Sequence, residues 1–182
     1  MPGTGHGASR HCFVTFVSHG PGYGRSVPRL ARDQGPGYFH VTTRGNDGRD
    51  IYLTVDDRRI WLVVFKRVAR KLEWAVPAWC QMTNHFHLAL AIEQPNLSSG
   101  MQQLNGLYAQ WFNAWYERTG HLFGRRFWAK RIEDEKQLRD TADYIFHNPV
   151  RAGLCASPRD WRWLGGSLLA EPPGLSRFTA EH

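Results

Sequence analysis

The stretch Met82-Thr83-Asn84-His85-Phe86-His87-Leu88-Ala89-Leu90-Ala91-Ile92 sets two imidazoles two residues apart in an alternating apolar run. On a strand, alternate side chains share a face. One face then carries Phe86, Leu88, Leu90 and Ile92, large and apolar, and is expected to pack on helices. The other carries His85, His87, Ala89 and Ala91, two imidazoles beside small residues that leave room above them. Imidazole is a frequent ligand for divalent metals, and same-face spacing lets both rings reach one ion. Exposed strand faces also produce His-x-His by chance, so the pair alone leaves both readings open.

A second group closes a helical stretch, Asp143-Tyr144-Ile145-Phe146-His147-Asn148-Pro149. Leu138, Thr141, Ala142 and Ile145 form the apolar stripe of that helix. At 100° per residue, Tyr144 falls roughly 120° from Leu138, off the stripe. Asn148 follows one turn later on the same flank. A phenol can act as a nucleophile and an amide oxygen can bind a metal. The same residues also read as an interfacial tyrosine and a helix C-cap before proline.

The elements that must position these groups follow from periodicity. Residues 1–36 are rich in Gly, Pro, Ser and Arg without a period, and are expected to form a disordered basic arm. Tyr38 to Thr43 has strand composition, and Arg44 to Gly48 reads as a turn. Asp56 or Asp57 can cap a helix running to about Glu73, with Ile60, Val64, Val68 and Leu72 as its stripe. Ala75 to Met82 is a second strand, where Pro77 suggests an edge or a bulge, and His85 to Ile92 is a third. A second helix opens at Pro95 to Ser99, with Leu97, Met101, Leu104, Tyr108, Trp111 and Trp115 inward. The basic aromatic segment Phe123 to Arg131 follows, and a third helix runs from about Glu133 to His147, stopping before Pro149. Trp161 and Trp163 are expected to pack back on the domain, and residues 172–182 form a flexible tail. This order implies an α+β sandwich of ferredoxin-like layout, with helices packed on one face of an antiparallel sheet.

Composition narrows the partner. The 182 residues carry a formal net charge of +7, which favours nucleic acid over other partners. Aromatic content is 13%, with eight tryptophans, and rings beside arginines suit unpaired bases. No apolar run approaches the roughly 18 residues of a membrane span. Residues 1–24 lack the apolar centre of a secretory signal. Cys12, Cys80 and Cys155 are widely spaced and contain no Cys-x-x-Cys pair, so a reducing cytoplasm, with association to the nucleoid, is the expected setting.

Taken together, Met82 to His87 and Tyr144-Ile-Phe-His-Asn-Pro-Val-Arg-Ala-Gly153 resemble the single-tyrosine transposases of the HUH endonuclease superfamily, above all the REP-associated tyrosine transposases. Tyr38 to Asn46, Met101 to Leu104 with Phe112-Asn113, and Gly120 to Phe127 agree, so the likeness covers roughly residues 37–155 and a catalytic domain over 37–171. The resemblance implies a ferredoxin-like domain with the HUH motif on a central strand. It implies His85 and His87 as metal ligands, Asn148 as the third, and Tyr144 as the nucleophile. A Mg²⁺ or Mn²⁺ cofactor is expected, as is cleavage of single-stranded DNA beside imperfect hairpins or palindromic repeats through a 5′-phosphotyrosine link. A monomer or homodimer is compatible with it. Arg44, Arg49, Arg125, Arg126, Lys130, Arg131 and Arg151 are candidates for contacts to the DNA backbone. Thr83 stands where the family often has proline, and His147 where it often has an acidic or polar residue; His147 should face solvent. Two rival readings are a non-catalytic relative that only binds DNA hairpins, and a zinc hydrolase drawing a third ligand from Cys80 or a carboxylate.

Overall fold

The computed structural model describes residues 35–169. The basic arm and the flexible tail expected at the two ends lie, apart from residues 35 and 36, outside them. Strand β1 (Gly37–Arg44) leads through a turn into helix α1 (Val55–Lys71). Thr54 starts that helix with a capping box, its side chain taking the Asp57 N–H while the Asp57 carboxylate takes the Thr54 N–H. Strands β2 (Ala75–Gln81) and β3 (His85–Ile92) follow, then helix α2 (Leu97–Trp115), strand β4 (Trp128–Ile132) and helix α3 (Glu135–Arg151). A two-residue strand, β5 (Leu164–Gly165), ends the described fold.

The five strands run in the order β4-β1-β3-β2-β5, every neighbouring pair antiparallel. This is the ferredoxin-like arrangement, with β3 and its histidines at the centre. β4 arises inside the basic aromatic segment, where the sequence suggested no strand. Its pattern of half-buried Trp128, buried Ala129, exposed Lys130 and Arg131, and buried Ile132 does not alternate. β2 keeps Pro77 by shifting register between Ala75 and Ala78, the anticipated bulge.

The two sheet faces differ in size of side chain. Phe39, Val41, Phe86, Leu88, Leu90 and Ile92 face α1 and α2 and build the main core with Trp61, Phe65, Leu104, Tyr108 and Phe112. The buried side of α1 is Trp61, Phe65 and Val68; Ile60 and Val64, expected inward, are only half-buried. Two overlapping apolar stripes run along this helix, and the one with the larger rings takes the sheet. Helix α3 lies on the opposite face, where Leu138, Ala142, Ile145 and Phe146 seat on Ala78, Cys80, Ala89 and Ile132. The helices expected on one face are thus α1 and α2, and the histidine face has a helix of its own.

Helix α3 passes through Pro149 rather than stopping before it. Proline withholds the N–H that would have met the Ile145 carbonyl, and the helix carries that gap in its last turn. The end is closed two residues later, where the Leu154 N–H donates to the Pro149 carbonyl and the Gly153 N–H to the Val150 carbonyl, both at 2.9 Å. Gly153, at φ 69°, supplies the left-handed residue that this closure needs. Trp161 and Trp163 pack back as expected. They sandwich the Arg58 guanidinium together with Tyr52, at 4.8–5.5 Å from its carbon.

Candidate active site

Register places the site. Across β1 and β3, Thr42 pairs with His87 and Arg44 with His85. Across β1 and β4, His40 pairs with Lys130 and Thr42 with Trp128. Period two therefore sets His40, Thr42, Arg44, His85, His87, Trp128 and Lys130 on the α3 face. His40, Thr42 and Trp128 were not singled out from sequence, although alternation from Arg44 backward along β1 points to the first two.

His85 and His87 are each tied through Nδ1, and His40 through Nε2. His85 Nδ1 lies 2.7 Å from Asn84 Oδ1, and the Asn84 amide nitrogen is spent on the Gly48 carbonyl at 2.8 Å. The amide is thereby oriented with oxygen toward the ring, so His85 donates through Nδ1–H and keeps a lone pair on Nε2. His87 Nδ1 lies 2.9 Å from Thr42 Oγ1 and 3.0 Å from His40 Nε2. Burial holds all three rings below the usual imidazole range. His85 and His40 are lowered to about 4, with Arg44 and Lys130 adding to the effect of burial respectively. His87, buried among His85, His40 and Arg44, is lowered well below its ordinary value. His85 and His87, neutral and tied only through Nδ1, offer what a cation requires of histidine, whereas the Nε2 of His40 is engaged with His87.

Tyr144 stands over this group. Its ring centroid is 5.9 Å from both His40 and His87, and the Arg151 guanidinium carbon lies 4.9 Å from the ring. The side chain is 40% exposed, as its place off the helix stripe requires. Asn148 is half-buried on the same helix, and its amide nitrogen donates to the Tyr144 carbonyl at 2.9 Å, leaving Oδ1 as its acceptor. His147 faces solvent.

The basic candidates divide. Arg44 ends β1 beside His85, and Lys130 projects on the same face as His40. Arg49 belongs to the 45–50 loop that Asn84 holds. Arg125 and Arg126 are exposed just past Gly124, whose N–H donates to the Arg44 carbonyl at 3.2 Å. Arg131 points the other way, its guanidinium over Phe39 and 2.6 Å from the Pro36 carbonyl. Cys80 pairs with His87 across β2 and β3 and is fully buried. Its thiol is pushed up to about 12 by burial and turns to the Met82 sulfur at 3.8 Å. Among the described residues no group of three or more His, Cys, Asp or Glu side chains is gathered for a metal.

The family model for IS200-like transposases matches residues 37–148, a span holding the histidine strand, the tyrosine and Asn148. The chain belongs to that transposase family. A Haemophilus influenzae protein assigned to the REP-associated tyrosine transposases is 25% identical over 136 residues, which cover 69% of this chain and 77% of the relative. In structure the chain is similar to a REP-associated tyrosine transposase bound to a REP hairpin. The TM-score is 0.65, with 21% identity over 77% of this chain and 82% of the other. This second likeness establishes the shared fold. No helix among the described residues of this family member is long and apolar enough to cross a membrane.

Proposed function

We infer that the protein cleaves and rejoins single-stranded DNA next to imperfect hairpins, with Tyr144 as nucleophile. The observation that carries this reading is the approach of the half-exposed Tyr144 ring to His87 and His40, with Arg151 against it. A nucleophile for a polymer must be reachable from solvent and must stand beside the groups that neutralise phosphate charge. Tyr108 meets neither demand, being fully buried with its hydroxyl donating to the Ile51 carbonyl at 2.6 Å.

The Tyr144 oxygen attacks phosphorus, the bond from phosphorus to the 3′ oxygen breaks, and a 5′-phosphotyrosine and a free 3′-OH result. The phenolic proton leaves to water, and the 3′ oxygen takes one up. Because the ester conserves the bond energy, an incoming 3′-OH reverses the step and joins new ends. Nε2 of His85, Nε2 of His87 and Oδ1 of Asn148 would hold a Mg²⁺ or Mn²⁺ ion. Such an ion supplies charge neutralisation at the scissile phosphate. Arg44, Arg125, Arg126 and Lys130 bind the DNA backbone, and Arg151 steadies the Tyr144 ring.

The test is a denaturing gel of the protein incubated with hairpins that carry single-stranded flanks and Mn²⁺. A covalent adduct mapping to Tyr144 is expected. DNA attached at another tyrosine, or tight hairpin binding without any adduct, overturns the reading.

A further inference from the structure

Helix α2 turns one face inward along Leu97, Met101, Leu104, Tyr108 and Phe112, all buried. Trp115 continues that face. It lies seven residues past Tyr108, about 20° around the helix. Yet Trp115 is 67% exposed, the most exposed large apolar side chain among the described residues. Phe112 and Tyr116 hold the last turns to the core, Tyr116 through a hydroxyl that donates to Asp57, and leave Trp115 on the open flank. Asn105 reaches Thr43 at 3.3 Å, and Tyr108 reaches Ile51, so the sheet ends under the middle of α2. The remaining turns project beyond the sheet end that bears Arg44 and His85. Trp115 stacks on Trp111 with centroids 6.1 Å apart and planes 14° from parallel. Trp111 stacks in turn on Tyr108 at 5.9 Å and 26°. The ladder starts in the core and ends on a bare indole face.

We propose that Trp115 is a stacking platform for an unpaired base of the DNA strand that flanks the hairpin. The assignment rests on the strand-cleavage reading and extends it to a second binding position. Charge and continuity select this occupant. The segment after Trp115 carries Arg118, Arg125 and Arg126 against the single acid Glu117. It is pinned to the site end of the sheet by the Gly45–Phe123 bridge and by the Gly124 N–H on the Arg44 carbonyl. A polyanion that follows these cations away from His85 is led toward the exposed ring. Unpaired bases stack on such rings regardless of sequence, whereas paired bases are shielded by their own stack.

The experiment uses the full chain and a labelled hairpin, with and without a single-stranded flank, read by fluorescence anisotropy. Trp115→Ala should bind the flanked hairpin about tenfold more weakly than the parent does and the blunt hairpin equally well, while Trp115→Phe restores most of the loss. A 2-aminopurine in the flank should be quenched by the parent protein and by Trp115→Phe, but not by Trp115→Ala. Equal affinity of parent and Trp115→Ala for the flanked hairpin overturns the proposal. So does a Trp115→Ala variant with parental DNA binding but a lower melting temperature or an altered oligomeric state, since the ring is then covered by the chain's own terminal segments or by a second copy. Adduct formation at Tyr144 separates the two levels. If it persists while Trp115 has no effect, only the platform fails; if the parent neither binds hairpins nor forms an adduct, the cleavage reading fails and takes the platform with it.

Discussion

Thr42 and His87 face each other across the β1–β3 ladder, and the threonine hydroxyl lies 2.9 Å from Nδ1 of the imidazole. With its proton on Nδ1, His87 donates to that oxygen and keeps Nε2 bare. With the imidazole as donor of this pair, the hydroxyl orients the ring with Nε2 free for a cation. Thr42→Val keeps shape and strand preference while removing the acceptor. It should weaken Mn²⁺ binding about tenfold and cost about 1 kcal/mol of stability. Titration calorimetry and urea unfolding measure the two effects, and parental Mn²⁺ affinity would show that Thr42 does not orient the ring.

Tyr144 makes ring contacts to His40, His87 and Arg151 at the surface of α3. Removing its oxygen leaves those contacts in place. Tyr144→Phe should unfold at the parental temperature and bind hairpins with parental affinity, yet form no covalent adduct. An adduct in this variant would move the nucleophile elsewhere.

Two neighbouring cations on β4 should behave differently. Lys130 shares the face of His40, whereas Arg131 is occupied with Phe39 and the Pro36 carbonyl on the other side. Lys130→Ala should lower DNA affinity and reduce the salt dependence of binding by about one phosphate contact. Arg131→Ala should leave both nearly unchanged. The reverse outcome in a salt titration would put the DNA on the α1–α2 side.

The histidine cluster makes stability depend on acid. His40 and His85 titrate near 4 in the fold because they are buried, against an ordinary value of about 6.5 in the unfolded chain. Below that ordinary value the unfolded chain takes up protons that the fold refuses. The stabilisation is therefore complete above about 6.5 and is lost as the pH falls toward and through about 4. His87 acts in the same direction. Urea midpoints followed from neutral pH down to about 4 should fall more steeply for the parent than for a His40→Gln, His85→Gln double variant. Parallel curves would remove these rings from the acid response.

The sequence made the histidine strand and the tyrosine helix visible for a physical reason. Period two in β3 and the offset of Tyr144 from the Leu138 stripe are both local patterns. β4 was invisible because Trp128 to Ile132 is an edge strand whose exposure is set by neighbours distant in sequence. His40 carries no local signal, because its place against His87 comes from the β1–β3 register. The end of α3 is not legible at Pro149, because the closure that ends the helix depends on Gly153 and Leu154, beyond the proline.

Ala78 and Ala89 carry no functional group, yet α3 rests on them. They work as a shim. Their size sets how high the Tyr144 helix rides above the histidines, and so the distance between phenol and imidazoles. A larger side chain at either position would lift the helix, and a displacement of about 1 Å at a reacting atom can cost on the order of a hundredfold in rate. The clearance of this site is therefore an adjustable dimension, tuned by methyl and methylene groups in the layer beneath the chemistry.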